Sequence, residues 1–207
     1  MRRKEFTIEQ EEEIESFLAE KTYGFLGTVS PKGKPGVTPL NFVYDGSYFY
    51  FHGSLAGEKM KHLKANDGVS FSVAEEYALI PSYFSDPLLA CPATAYFKSV
   101  TVHGYAEKVT DLHEKAKALS LFMKKLQPEG GYTPIDADDT SYTGQLKAVA
   151  VIRIIPEEIT AKFKFGQNLE PQKHQEILDR LEERGTEKDL ETTELMRKYC
   201  PFHADKS

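Results

Sequence analysis

At residue 23 the hydrophobic period of this chain changes from helical to strand-like, and strand-like runs then dominate as far as residue 165. Residues 23–29, 36–44 and 48–52 are runs of β-branched and aromatic side chains, separated by Ser30-Pro31-Lys32-Gly33 and by Asp45-Gly46. Such spacing joins antiparallel strands into hairpins. Asp45-Gly46 is the sharper signal, because both residues tolerate the positive φ of a tight turn. Residues 69–74, 96–109, 147–155 and 159–165 read as further strands, with Gly104 as a bulge or bend in the longest. About six or seven strands linked as hairpins, with no strand-helix alternation, argue against a doubly wound parallel fold. They predict a mainly β protein, a small β-barrel with peripheral helices.

The helical segments fit around that sheet. Thr7-Ile8-Glu9-Gln10 has capping-box spacing, and Ile14, Phe17 and Leu18 follow on one face, which predicts a first helix over 8–20. A short helix is expected near 57–65. Another follows Asp111, with Leu112, Ala116, Leu119, Phe122, Met123 and Leu126 at helical spacing. Residues 77–93, with three prolines among aromatic and leucine side chains, read as an ordered loop over something apolar, and 127–145 as a polar connector. The core domain is expected to occupy 1–166. A helical extension, packing on the domain or on a partner subunit, is expected over 167–207.

Composition narrows the function classes. With 26 Lys+Arg against 32 Asp+Glu, the formal charge is -6, and no basic block tracks a phosphate backbone, so nucleic acid is not an expected partner. No apolar run approaches the roughly 20 residues of a membrane span, and the amino terminus lacks the apolar segment of a signal peptide, so the expectation is a cytoplasmic protein with no membrane association. Cys91 and Cys200 lie far apart and outside any Cys-x-x-Cys pair, which gives no support to a disulfide framework or thiolate metal site. Cys200 and His203 lack further metal partners, and Asp136, Asp138 and Asp139 lack the glycine and terminal glutamate of a calcium loop. No metal is expected.

The chemistry concentrates at Tyr50-Phe51-His52-Gly53-Ser54-Leu55-Ala56-Gly57-Glu58-Lys59, which ends a strand, turns, and opens a helix. Unpaired amides at a helix start suit an anion. Ser54 either caps the helix or donates to a phosphate, Gly57 permits close backbone approach, and Lys59 either swings back as a point charge or faces water. Upstream, Pro39 removes one ladder donor from the strand Thr38-Pro39-Leu40-Asn41-Phe42 and places it at an edge or a bulge. Asn41, Phe42 and His52 are typed to line a planar heterocycle. Phe42 reads more commonly as ordinary core, and His52 alternatively as a strand-end imidazole bonded to a carbonyl. His103 shares a face with Ser99 and Thr101, without the carboxylate a triad requires.

Taken in order, Gly24-Phe25-Leu26-Gly27-Thr28, Pro39-Leu40-Asn41-Phe42-Val43-Tyr44, Tyr50-Phe51-His52-Gly53-Ser54 with Gly57 and Lys59, and Tyr96-Phe97-Lys98-Ser99-Val100 leading to Gly104 resemble the flavin-binding split-barrel proteins related to pyridoxamine 5'-phosphate oxidase. Within them the sequence is most similar to the branch of nitroimidazole-resistance reductase-like proteins. The resemblance implies a homodimer with FMN in grooves at the subunit interface. It puts the phosphate at Ser54 and Lys59, the isoalloxazine along Thr38, Pro39, Leu40, Asn41 and Phe42, and His52 and Ser99 at the rest of the pocket. It further implies an oxidoreductase, a reductase driven by NAD(P)H or an oxidase of a small planar substrate, with a non-catalytic flavin- or haem-binding carrier as the alternative. Two positions depart from the family pattern. Glu58 stands where the oxidases place an arginine, which lowers the positive charge available to an anionic vitamin substrate, and Ala161 stands where glycine is expected.

Overall fold

The structure is a computed structural model and describes residues 3–202. In chain order its elements are β1 (Thr7–Ile8), α1 (Glu11–Glu20), β2 (Tyr23–Val29), β3 (Pro35–Asn41), β4 (Val43–Tyr44), β5 (Phe49–Gly53), α2 (Glu58–Ala65) and β6 (Gly68–Ile80). There follow β7 (Thr94–Lys108), α3 (Leu112–Leu126), α4 (Thr140–Ala148), β8 (Ala150–Lys164), α5 (Pro171–Arg184) and α6 (Glu187–Lys198). The chain divides into two compact units. The larger contains Gln10–Val73 and Val100–Thr160; the smaller contains the segment through Glu9, Ala74–Ser99 and the segment from Ala161 onward.

Strand order is β3-β2-β6-β7-β8-β5-β4, with β1 added on β8. The pairs of β2 with β3 and β6, of β5 with β4 and β8, and of β1 with β8 are antiparallel. The ladder stays open at β3 and β4, so this is a mainly antiparallel sheet with peripheral helices, as the hairpin spacing predicts. Its strands number eight rather than six or seven. The run 36–44 divides into β3 and β4, which offsets the joining of the last two runs in β8, and β1 is added, its Thr7 and Ile8 pairing with Lys162 and Ala161. A capping box is worth only about 1 kcal/mol, and here pairing with β8 overrides it. Helix α1 therefore begins at Glu11, with no side-chain cap and with Glu11, Glu12 and Glu13 in its first turn to complement the dipole.

In the larger unit α3 lies on the sheet through a core of Val43, Tyr50, Val109, Ala118, Phe122 and Val151. A second cluster of rings, Phe42, Phe49 and Phe71, meets at centroid distances of 5.1 to 6.3 Å. The Asp45-Gly46 turn forms, although only Gly46 has positive φ; Asp45 instead accepts from Ser47 N–H and Tyr48 N–H with its carboxylate, at 3.1 and 2.8 Å. At Gly104 β7 lies close against β8: a Cβ there would lie 2.1 Å from the carbonyl oxygen of Ile155. Helix α3 starts as expected, with Asp111 accepting from Glu114 N–H at 2.7 Å.

Two other expectations fail here. Residues 147–155 and 159–165 do not form separate strands but contribute to the single strand β8, and the polar connector contains α4, which buries only Leu146 fully. Helix α4 is held from outside by the buried Lys115, whose ammonium donates to the carbonyls of Leu146 and Val149 at 2.7 and 2.8 Å. In the smaller unit β6 continues to Ile80 and stops at Pro81. Helices α5 and α6 form a hairpin around Gly185 (φ 65°), with a capping box between Thr186 and Asp189 and a two-pronged Arg184–Asp189 ion pair at 2.5 and 2.8 Å. Among the described residues no helix is long and apolar enough to cross a membrane, and no group of three metal-ligating side chains occurs; His203 lies outside them.

Candidate functional site

Strand β5 delivers the chemistry-bearing segment to the end of the sheet. Phe49, Tyr50 and Phe51 are buried in sequence because both faces of β5 are covered, and His52, opposite Val151, is the first side chain to emerge. Its ring stands edge-on to Phe122 at 4.8 Å. Partial desolvation there, and then the charge of Lys59, hold its pKa below the ordinary histidine value. The chain then passes through residues 54–57 into α2. Ser54 does not cap that helix; its Oγ accepts from Ala56 N–H at 3.2 Å, within the turn. Gly57 is the N-cap, with φ 128°, a backbone region open to glycine. The first intrahelical bond runs from Lys61 N–H to Gly57 C=O, so the amides of Glu58, Lys59 and Met60 have no partner inside the helix.

Lys59 is half-buried. Its ammonium sits 4.8 Å from the centre of the Phe51 ring and 3.6 Å from where a Cβ on Gly53 would be. No carboxylate of the described residues lies within ion-pair distance. Burial pushes its pKa down, so the cation is held where charge is disfavoured. A counter-charge from outside the chain would relieve that cost.

Beside Lys59 opens a cleft of about 430 Å³, walled by Gly36 and Thr38 of β3, by Glu58, Lys59 and His62 of α2, and by Lys32 and Lys34 of the β2–β3 turn. His62 is buried, with Nδ1 3.0 Å from Thr28 Oγ1 and Nε2 3.7 Å from the exposed carboxylate of Glu58. Gly36 makes room for that imidazole: a Cβ there would come within 3.2 Å of it. Thr38 and Lys59 therefore share one cleft, with Ser54 in the turn that leads to it.

The other residues expected at the site are distributed by strand alternation. Pro39 and Asn41 are exposed and Leu40 is buried; β3 is an edge strand, as Pro39 requires. Asn41 Nδ2 donates to Thr22 C=O at 2.9 Å. The Phe42 ring belongs to the core, against Phe71, with the Lys125 ammonium 4.2 Å from its centre, and its backbone N–H donates to Thr22 C=O at 3.3 Å while its C=O accepts from Lys125 Nζ at 3.5 Å. Ser99 belongs to the smaller unit, where its Oγ lies 3.5 Å from Lys162 C=O. His103 spends Nδ1 on Ser70 Oγ at 2.9 Å, and no carboxylate of the described residues is bonded to it to complete a triad. Thr28, His62, Lys32 and Lys34 were not legible as site residues. Only the i, i+3 and i, i+4 spacing of His62 from Lys59 and Glu58 could have pointed to one of them.

On the outward side of β2 and β3, Tyr23, Phe25 and Val37 stand 50%, 48% and 69% exposed beside Pro39. These side chains form an exposed apolar strip on one sheet face.

Comparison with known proteins adds to this geometry. Residues 10–163 match the family model described as pyridoxamine 5'-phosphate oxidase. No curated protein matches the chain. Among solved structures, a candidate 5-nitroimidazole antibiotic resistance protein from Bacteroides thetaiotaomicron is similar at 26% identity and TM-score 0.59, covering 75% of this chain and 85% of its own. The flavocytochrome Anf3 from Azotobacter vinelandii is similar at 25% identity and TM-score 0.64, over 78% and 70%. A FAD and heme binding protein from Mycobacterium smegmatis, at 16% identity and TM-score 0.61 over 77% and 74%, shares the fold.

Proposed function

Because the chain belongs to the pyridoxamine 5'-phosphate oxidase family, we propose that it is a flavoprotein that binds FMN or a larger flavin through the cleft at α2 and uses it in an oxidoreductase reaction. The observation that carries this reading is Lys59: a half-buried ammonium with no carboxylate partner among the described residues, at the start of a helix whose first amides lack partners inside it. A flavin phosphate supplies the missing counter-charge. The donors present fit such a group, namely the Lys59 ammonium, the amides of Glu58 to Met60, the Thr38 hydroxyl and, in the turn, Ser54.

When bound, a flavin supplies reversible electron and hydride transfer that no side chain of this site provides. The chain's own contribution is to anchor and orient. Lys59 fixes the phosphate end, and the edge strand β3 from Thr38 to Asn41 offers backbone groups to the ring system. His52 presents a neutral imidazole on the same end of the sheet, its pKa lowered. The exposed Tyr23, Phe25 and Val37 suit burial by a second copy of the chain, which would also exclude water from the ring. Ser99 is assigned to the pocket on the family resemblance alone.

The electron donor of this reading is NAD(P)H and the acceptor a small planar molecule. Similarity to a flavocytochrome supports a second reading, a haem-binding carrier. That requires an imidazole nitrogen directed at iron, and His103, whose Nδ1 is bonded to Ser70 Oγ, keeps Nε2 for that role. Anaerobic mixing of the flavin-loaded protein with NADPH or NADH separates the readings. The redox reading predicts rapid loss of the visible flavin band and its return when an acceptor such as a nitroimidazole is added. A flavin reduced no faster than free flavin in buffer contradicts it.

A further inference from the structure

We propose that the cleft between α1, β4 and α3 is a second ligand site, one that takes a small apolar aldehyde and holds it as a reversible imine on Lys125.

The cleft lies wholly within the larger unit and shares no lining residue with the cleft beside Lys59. Its volume, about 630 Å³, falls in the range of small-molecule sites. One wall is a stripe of α3: Lys117, Leu121, Lys124 and Lys125 recur at i, i+4, i+7 and i+8, so they share a helix face. Opposite stand Leu18 and Ala19 of α1 with Val43 and Tyr44 of β4. Together with Leu121 they suit a ligand body of one ring or a short hydrocarbon chain.

Lys125 is the group in this cleft fitted for covalent chemistry. Its side chain is half-buried: Nζ stands 4.2 Å from the centre of the Phe42 ring, donates to Leu18 C=O at 2.8 Å and reaches Phe42 C=O at 3.5 Å. The Leu18 carbonyl belongs to the last turn of α1 and has no partner inside that helix, so Lys125 caps it. Two carbonyls satisfy the two N–H groups of a neutral amine. An ammonium has a third proton, and no carboxylate of the described residues is paired with it. Burial accordingly lowers the pKa to about 8. At pH 7 about a tenth of Lys125 is then free amine, against less than about one part in a thousand for an ordinary lysine.

The neighbouring charges leave that amine available. In the turn after β4, Asp45 is taken by Lys117, 2.8 Å away. Tyr44 stays a phenol, its pKa raised by burial and then by Glu15, Asp45 and Glu11, and it donates to Gly46 C=O at 2.9 Å. Glu15 of α1 and Lys124 of α3, both exposed at the rim, carry opposite charges.

In the reaction the Lys125 lone pair adds to the carbonyl carbon. The carbonyl oxygen then leaves as water with both amine protons, and a C=N bond remains, with no change of oxidation state. Water reverses the step. When protonated, the imine keeps one N–H for the Leu18 carbonyl, so α1 stays capped.

The test is reductive labelling of the full-length protein at neutral pH with benzaldehyde and cyanoborohydride, which reduces the imine to a stable benzylamine. Tandem mass spectrometry of early time points reads each lysine separately. Lys125 should label at least tenfold faster than Lys117 and Lys124, its exposed neighbours on α3. That lead should shrink as the pH is raised toward 10, where the exposed lysines lose their protons too. Its rate should also saturate with benzaldehyde and fall when benzyl alcohol, which has no carbonyl, competes for the cleft. Labelling of Lys125 no faster than of its neighbours overturns the proposal. So does fast labelling that stays linear in benzaldehyde and indifferent to benzyl alcohol, which is a reactive side chain without a site. None of these outcomes depends on a flavin.

Discussion

Replacing Lys59 with methionine isolates what its charge does. Methionine keeps most of the length and the apolar contact with the Phe51 ring, whose centre lies 4.8 Å from the ammonium, and its sulfur packs favourably against an aromatic ring. In the free protein the substitution removes a half-buried cation with no carboxylate partner among the described residues, so stability should stay level or rise, by about 1 kcal/mol at most. Toward a phosphate the same change removes a charge-assisted hydrogen bond worth roughly 1.5 to 3 kcal/mol, or about 10- to 150-fold in affinity. The assay is a fluorescence titration of flavin-stripped wild type and Lys59→Met with FMN and with riboflavin, alongside urea unfolding of both proteins. FMN affinity should fall by that factor while riboflavin, which has no phosphate, changes by less than twofold. Equal losses for the two ligands, or an FMN affinity within twofold of wild type, would refute the placement of the phosphate at Lys59.

The fold itself makes three further predictions. Lys115→Met withdraws the ammonium that holds the carbonyls of Leu146 and Val149, and should cost about 2 to 4 kcal/mol in urea unfolding, with early loss of amide protection in α4. Gly104→Ala drives a methyl against the backbone of Ile155, where the Cβ would stand 2.1 Å from a carbonyl oxygen; a destabilisation of at least about 2 kcal/mol or failure to accumulate folded protein is expected, and a wild-type melting temperature would show that β7 and β8 are not so close. The hydrogen bonds from Arg184 hold the Asp189 carboxyl below the ordinary aspartate value. Its stabilising contribution is therefore complete above the unfolded-state pKa and is lost as pH falls through the folded one, so acid unfolding of Asp189→Asn should lack that limb when followed by circular dichroism from neutral pH downward.

The hairpins were legible because their signals are local. Alternating β-branched and aromatic runs between Ser-Pro-Lys-Gly and Asp-Gly specify strands and turns within a few residues of chain. The elements that were missed depend on distant partners. Strand β1 exists because Thr7 and Ile8 find Lys162 and Ala161, and α4 is held by Lys115 from another helix, which no local pattern near residue 140 announces. The site divides the same way. Lys59 and Gly57 stand out from the strand-turn-helix segment itself, whereas Lys32, Lys34 and Thr28 reach the cleft only because β2 and β3 fold back beside α2. Phe42 shows why residue type alone does not place a side chain. Its type suits a ring-binding wall, but alternation along β3 and the bend after Asn41 turn its side chain into the core.

The central claim is that this chain holds a flavin, and the visible absorption spectrum of freshly purified protein tests it most directly, followed by heat release and chemical identification of whatever chromophore comes off. The account predicts oxidised-flavin maxima and close to one flavin per chain. A colourless protein that takes up no flavin on reconstitution, or one whose spectrum is that of haem alone, would contradict it.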